Sequence, residues 1–150
     1  MDVRLANWST DKRKIMAGAK DFIARMDFDG FLPESEAELS DAISRVMSYE
    51  FVEVTVAEHE GDIVGGIGMS YIPCLWNPKA VMAEELFWWA SKGAPKMTSL
   101  RLLRFIQDRA LSVGANFLSF KRLTSSPAGV SKVYEKMGLR ELETTFIGGL

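Results

Sequence analysis

The stretch from residue 79 to residue 120 constrains the fold more than any other part of the chain. Lys79 to Ala90 has the apolar and aromatic content of a long strand, and Thr98 to about Val113 has the spacing of an amphipathic helix. Gly114 stops that helix, and Ala115 to Phe120 is a second, buried strand. A strand, a helix and a strand in this order form a right-handed crossover unit. We therefore expect an α/β fold.

Two more helices are predicted in the first third of the chain. Ser9 can cap a helix that ends at Asp29-Gly30. Ser35 and Glu38, after Pro33, have the spacing of a capping box and predict the start of a second helix. The first helix has apolar residues three and four positions apart, as one buried face requires: Ile15, Ala19, Phe22, Ile23 and Met26.

Strands are predicted before and after these helices. Residues 2–7 form a short alternating strand, and Val52 to Ala57 alternates with a period of two. After an acidic turn, Ile63 to Ile72 is an apolar strand that carries three glycines. Glycine inside a strand indicates a bulge or a surface that something else approaches closely.

The last helix is predicted to begin at Ser126-Pro127, as N-cap and first helical residue, and to stop at Gly138. Glu141 to Ile147 would close the sheet. The full order is β-α-α-β-β-β-α-β-α-β, an α/β (α+β) fold with a mixed sheet and helices on both faces. Residues 1–150 form a single domain, since no repeat or linker-like run divides them.

Composition and charge exclude several functional classes. With 18 Lys and Arg against 20 Asp and Glu, the net charge is -2, so we expect neither nucleic acid nor a membrane as partner. Cys74 and His59 are the only residues of their types, which leaves no disulfide and no thiolate-rich metal site. The chain shows no apolar run of membrane-spanning length and no signal peptide, so we expect a cytoplasmic protein.

The loop between the strand ending at Ala90 and the helix starting at Thr98 is a candidate anion site. Unpaired backbone N–H groups and the positive end of the helix dipole meet there, which suits a phosphate or diphosphate. Gly93 permits close approach, and Lys92 and Lys96 add positive charge. The alternative is an ordinary strand-loop-helix connection, which every α/β protein has.

The second half of the chain resembles the GCN5-related N-acetyltransferase (GNAT) superfamily. The resemblance rests on the acidic strand EELFWWA, the following loop and LRLL helix, and the segment VYEKMGLRE, which is similar to the family's FYxKxGF motif. The family's loop usually has the pattern Q/R-x-x-G-x-G/A, whereas Ser91 to Ser99 holds one glycine and no arginine. The EELFWW and LRLL phrases also look similar to GNAT proteins of bacteriophages and prophages.

The resemblance implies that acetyl-CoA lies between two diverging strands, with its thioester carbonyl near a backbone N–H at the end of EELFWWA. It also implies that amides at the start of the LRLL helix hold the diphosphate, although Pro95 removes one donor. The candidate cofactor-binding residues are Trp89, Ala90, Lys92, Gly93, Lys96, Met97, Thr98, Ser99 and Ser126.

Glu84 and Glu85 are the candidate catalytic bases. An alkylamine with a pKa near ~10.4 is protonated at neutral pH, so direct transfer needs a group that takes its proton. Neighbouring strand residues point to opposite faces, so only one of the two faces the acceptor. We favour Glu85, which would share its face with Phe87 and Trp89, where desolvation would raise its pKa. The alternative for each is a solvated or salt-bridged strand glutamate.

Tyr134 is the candidate catalytic acid. It matches the tyrosine of the family motif, whose phenol can protonate the departing coenzyme A thiolate. The structural alternative is a core residue on one helix stripe with Val130 and Met137.

These residues together predict an acetyl-CoA-dependent N-acetyltransferase that moves an acetyl group to a primary amine by direct attack in a ternary complex. The acceptor is a small molecule or a peptide amine, and the resemblance implies a homodimer, since many GNAT relatives are dimers; no metal is expected. The alternative is a catalytically degenerate relative that binds CoA or serves as a protein-interaction module.

Overall fold

A computed structural model describes residues 1–25 and 35–146 of the chain. Its nine elements follow the predicted order as far as the last helix. They are β1 (Asp2–Leu5), α1 (Trp8–Ala24), α2 (Glu36–Met47), β2 (Val52–His59), β3 (Asp62–Cys74), β4 (Asn77–Ala90), α3 (Thr98–Ser112), β5 (Phe117–Ser119) and α4 (Gly129–Lys136). The α/β architecture with a mixed sheet is therefore confirmed.

Some predicted boundaries change or lie outside this range. Residues 141–146 form no regular secondary structure, so the closing strand is not formed there, and Ile147 lies outside the described residues. The predicted end of the first helix at Asp29-Gly30, its apolar residue Met26, and Pro33 before the second helix also lie outside them. No helix in the described ranges is long and apolar enough to cross a membrane.

The sheet has the strand order β1-β2-β3-β4-β5. The pairs β1-β2, β2-β3 and β3-β4 are antiparallel. Strand β5 runs parallel to β4, as the crossover predicts. The parallel ladder is short: it begins at Met82 and Phe117 and ends at Glu84 and Ser119. Because β4 continues to Ala90, its last six residues have no strand partner on the β5 side among the described residues. We call the opening between β4 and the chain after β5 the notch.

Helices cover both faces of the sheet, as predicted. On one face, α3 buries Leu102, Leu103 and Ile106 against Ile67 and Met69 of β3. On the other face of the sheet, which α1 covers, a second core is made of Ile15, Val54, Val56, Phe87 and Trp89. Complete burial of one such aliphatic side chain contributes about 1.5–3 kcal/mol, so these two layers fix how β3 and β4 lie against the helices.

Two glycines of β3 make room for aromatic rings of β4. A Cβ atom on Gly66 would lie 2.3 Å from the Trp89 ring, and one on Gly68 would lie 2.5 Å from the Phe87 ring. The close approach expected from glycines in this strand is therefore confirmed, and what approaches is the neighbouring strand's own side chains. These contacts hold Phe87 and Trp89 on the face of α1.

Helix caps agree with the sequence in one case and differ in two. Ser35 caps α2 by accepting a 3.2 Å hydrogen bond from the Glu38 amide, as predicted. At α1 the capping side chain is Asn7, which accepts from the amide of the predicted cap, Ser9. The predicted cap of α4, Ser126, is wrong: its amide donates to Leu123 O in a preceding turn, and the helix begins at Gly129.

Candidate active site

Glu85 and Tyr134 meet at one residue on the far side of the notch, Lys121. The carboxylate oxygen Oε2 of Glu85 accepts a 3.0 Å hydrogen bond from the Lys121 amide. The Tyr134 hydroxyl donates a 3.1 Å hydrogen bond to the Lys121 carbonyl oxygen. The fold thus brings together two side chains that are 49 positions apart, from the middle of β4 and from α4.

A bulge in β4 changes which face Glu85 occupies. Gly68 pairs with Phe87, but the next residue of β3, Met69, pairs with Glu85, so Leu86 is the extra residue. Because paired residues point to the same side of a sheet, Glu85 lies with Met69 on the face of α3. Phe87 and Trp89 lie on the face of α1. The prediction that Glu85 shares their face is therefore wrong.

Glu85 is nevertheless desolvated, because it is only 2% exposed. Burial raises its pKa from 4.5 to about 7, and the hydrogen bond from the Lys121 amide opposes that rise. A carboxyl group with this pKa is about half ionised at neutral pH, so it can both take up and release a proton there.

Glu84 points to the other face of the sheet, since it pairs with Ser70 in the register of β3. The two adjacent carboxylates thus diverge, as alternation along a strand requires. The Glu84 side chain is 33% exposed, and its Oε1 atom lies 3.1 Å from Lys121 Nζ. All three candidate catalytic side chains therefore bond to Lys121, two through its backbone and one through its ammonium.

The surroundings of Tyr134 keep its phenol protonated. Its ring stacks on Phe120, with centroids 5.4 Å apart, and lies 6.3 Å from the ring of Trp88. Burial, and then the negative charge of Glu85, raise the pKa of Tyr134 well above its usual value. Tyr134 is therefore a hydrogen-bond donor across the whole physiological pH range.

A groove of about 310 Å³ runs between the start of α3 and α4. Its wall on the sheet side is Trp88, and its other walls are mostly apolar, with Leu103 from α3 and Val130 and Val133 from α4. Tyr134 does not line the groove, but its ring centroid lies 6.3 Å from that of the lining residue Trp88. An elongated, partly apolar ligand would fit such a shape.

The start of α3 gives the groove a polar end. Lys96, Ser99 and Leu100 line it there. The first hydrogen bond of the helix runs from the Arg101 amide to Met97 O, and the amides of Ser99 and Leu100 find no acceptor in the part of the chain that the structure describes. Two free amides, one ammonium and the positive helix end are the groups of a candidate anion site.

Thr98 does not belong to this anion site. Its amide donates to Pro95 O at 2.9 Å, and its hydroxyl lies 3.1 Å from Met1 Sδ. The side chain is 1% exposed, buried under the first residue of the chain. The prediction that Thr98 binds the cofactor with its amide is therefore wrong, because the turn at Pro95 occupies the amide and Met1 covers the hydroxyl.

The other predicted cofactor residues are distributed around the loop and the end of β4. Met97 is the exposed N-cap of α3, and Lys92 and Gly93 lie in the exposed loop, where Gly93 has φ +102°.

The Ser91 amide donates to Val64 O of β3, so the Ala90 amide, one residue earlier, points into the notch. By the same alternation, the Trp89 amide points to β3, and its side chain is buried against α1. Trp89 therefore does not face the groove.

Sequence reasoning missed three residues of the site. Trp88, next to the predicted Trp89, is the tryptophan that lines the groove, and Leu100 contributes a free amide. Lys121 belongs to none of the motifs described in the sequence. The available signal for Lys121 was its position just after β5, across the notch from Glu84.

Known proteins support the fold. No family model and no curated protein matches the chain. Among solved structures, the ribosomal-protein-alanine N-acetyltransferase of Brucella melitensis biovar Abortus 2308 has a TM-score of 0.74 at 12% identity, with 100% of both chains covered. A predicted acetyltransferase from Clostridium acetobutylicum, solved with acetyl-CoA, has a TM-score of 0.74 at 14% identity, covering 99% of this chain and 95% of that one.

A third structure, the aminoglycoside N-acetyltransferase AAC(6')-Iy in complex with CoA, has a TM-score of 0.74 at 12% identity, covering 99% of this chain and 93% of that one. None of these proteins bears on the predicted phage or prophage origin, which stays a prediction. The matches extend over the whole chain and agree with the element order that the sequence predicts. The chain has the fold of the GCN5-related N-acetyltransferases.

Proposed function

We propose that the protein is an acetyl-CoA-dependent N-acetyltransferase that acts on a primary amine by direct attack in a ternary complex. The observation that carries the proposal is the convergence of Glu85 and Tyr134 on Lys121, next to a groove that is lined by Trp88 of the unpaired end of β4. A carboxyl group with a pKa of about 7 and a protonated phenol are the two proton-handling groups that such a reaction needs.

Donors at the polar end of the groove support acetyl-CoA as the ligand. Lys96 and the amides of Ser99 and Leu100 would hold the diphosphate. The apolar walls suit the chain that follows it, and the Ala90 amide in the notch is positioned to polarise the thioester carbonyl. Acetyl-CoA supplies the activated acyl group, and the protein supplies the position and the proton acceptor.

Glu85 would take the proton that an ammonium must lose before it becomes a nucleophile, either directly or through a water molecule. An alkylamine has a pKa near ~10.4, so only a small fraction is neutral at pH 7 without help. Because Glu85 is 2% exposed, the acceptor has to reach it through the notch. Glu84, on the more exposed face, would attract the cationic acceptor.

Tyr134 would donate a hydrogen bond to the leaving sulfur. Its raised pKa makes full proton transfer to a thiolate, whose conjugate acid lies near ~8.5, unfavourable at equilibrium. A hydrogen bond that strengthens as charge develops on sulfur still lowers the barrier. The hydroxyl would have to turn from the Lys121 carbonyl to reach the sulfur.

A thiol-release assay tests this function. The protein is incubated with acetyl-CoA and, one at a time, with an alkyl diamine, an aminoglycoside and a lysine-containing peptide, and free CoA is measured. Release that depends on one of the amines supports the proposal. Binding of acetyl-CoA without release for any amine contradicts it.

A second candidate function is a catalytically degenerate relative that binds CoA or a protein. The hydrogen bond from the Thr98 amide to Pro95 O favours this function, because that amide is then not free to bind a diphosphate. Calorimetric binding of CoA with no thiol release would support the CoA-binding form, and absence of CoA binding would leave the protein-interaction form.

A further inference from the structure

Lys121 carries a primary ammonium at the edge of the notch, where its side chain is 55% exposed. Its Nζ atom lies 3.1 Å from Glu84, one of the last two residues that pair before β4 and β5 separate. The amide and carbonyl of the same residue bond Glu85 and Tyr134. The ammonium is therefore carried by the same residue whose backbone bonds Glu85 and Tyr134, the two groups that would handle protons in acyl transfer.

We propose that the protein acylates its own Lys121, in cis, from a short acyl thioester of coenzyme A. The inference rests on the proposed function, because the same groove has to hold the thioester. A lysine side chain is a primary amine on an unbranched alkyl stem, which is the acceptor chemistry proposed for the site. Its attachment beside the notch makes the attack intramolecular, and proximity of this kind raises rates strongly.

The Lys121 ammonium gives one proton to the Glu84 carboxylate, and the neutral Nζ attacks the thioester carbonyl carbon. The N–C bond forms, the C–S bond breaks, and the nitrogen loses its second proton to solvent. The thiolate that leaves is stabilised by the Tyr134 hydroxyl and takes up a proton from solvent.

Acylation of Lys121 would remove the positive charge beside the Glu84 carboxylate. It converts the ammonium to a neutral amide and so removes the ion pair with Glu84. The backbone bonds of Lys121 to Glu85 and Tyr134 do not involve Nζ, so they remain. The modified protein would then offer an unpaired Glu84 carboxylate to an incoming cationic amine.

Lys14 provides a matched internal control for non-specific acetylation. It is also paired with a carboxylate, Asp62, at 2.6 Å, and its side chain is 48% exposed, against 55% for Lys121. Lys14 lies on α1 and its partner Asp62 begins β3, so neither residue belongs to the notch. The protein is incubated with acetyl-CoA alone, and acetylation at each lysine is followed by peptide mass spectrometry.

We expect Lys121 to be acetylated at least about tenfold faster than Lys14, at a rate constant independent of protein concentration, as a reaction in cis requires. Glu84→Gln should slow labelling of Lys121 by roughly tenfold to a hundredfold and leave Lys14 unchanged. Lys121→Arg should remain unlabelled at that position. Calorimetric titration of Lys121→Arg with CoA should show the affinity of the unmodified protein, which separates loss of the acceptor from loss of binding.

Equal labelling of Lys121 and Lys14, or a rate constant that rises with protein concentration, overturns the proposal. If CoA binds and external amines release thiol while Lys121 stays unlabelled, self-acylation fails and the proposed function stands. If CoA does not bind at all, both fail.

Discussion

The Tyr134 hydroxyl donates a hydrogen bond to the carbonyl oxygen of Lys121, 13 residues earlier in the chain. This bond joins α4 to the segment after β5 and fixes the phenol at the edge of the notch. Lys121 also donates its amide to Glu85, so one residue links the two side chains that the proposed reaction uses.

Tyr134→Phe removes the hydroxyl and keeps the ring that packs on Phe120. We expect turnover to fall by about tenfold to a hundredfold with little change in the dissociation constant of CoA, since the donor acts in the transition state. Thiol release and calorimetric titration measure the two quantities.

Tyr71→Phe is the matched control for that variant. Tyr71 packs against the same core cluster, and its hydroxyl finds no partner among the described residues. Its loss should leave turnover unchanged. Equal loss of turnover in both variants would show that the effect of Tyr134 is one of packing.

Glu85→Gln tests the raised pKa through stability. The folded protein holds the Glu85 proton more tightly than the unfolded chain does, since burial raises the pKa from 4.5 to about 7. The free energy of unfolding should therefore fall as the pH rises through that interval. Glutamine cannot ionise, so the variant should lack this fall and be more stable than the wild type above pH 7, by up to about 3 kcal/mol. Denaturant unfolding between pH 4 and pH 8 measures it; identical pH profiles would contradict the assignment.

Lys96→Ala tests the anion end of the groove. Lys96 lines the groove beside two free amides, and its removal should raise the dissociation constant of CoA by about threefold to tenfold, more at low ionic strength. Lys92→Ala, in the same loop but outside the groove lining, should have a smaller effect. The account of the diphosphate site fails if the two variants weaken binding equally.

Gly66→Ala and Gly129→Ala should have opposite effects on stability. A Cβ on Gly66 would lie 2.3 Å from the Trp89 ring, so the substitution should lower the free energy of unfolding by about 1–3 kcal/mol. A Cβ on Gly129, in the first turn of α4, meets nothing within 4 Å, and alanine there should add up to about 1 kcal/mol. Thermal and denaturant unfolding of the two variants check both signs.

Local patterns in the sequence were sufficient for most of the fold. The crossover from β4 through α3 to β5, the period-two strand at Val52 and the N-cap at Ser35 each depend on residues close in sequence, and the structure contains all three. The α4 start at Ser126-Pro127 was wrong because a turn ending at Ser126 competes for the same residues.

The orientation of the site residues could not be predicted locally. Strict alternation put Glu85 with Phe87, but the extra residue Leu86 in β4 inverts the faces, and its position is set by pairing with Gly68 and Met69 of another strand. Lys121 carries no motif; its role depends on where β4 and β5 stop pairing. Thr98 lost its predicted role through a contact with Met1, 97 residues away.

Calorimetric titration of the protein with CoA is the decisive measurement, because every catalytic step proposed for Glu85 and Tyr134 requires CoA in the groove. We predict one CoA bound per chain, with submillimolar affinity that weakens as ionic strength rises. No binding at millimolar CoA would contradict the account.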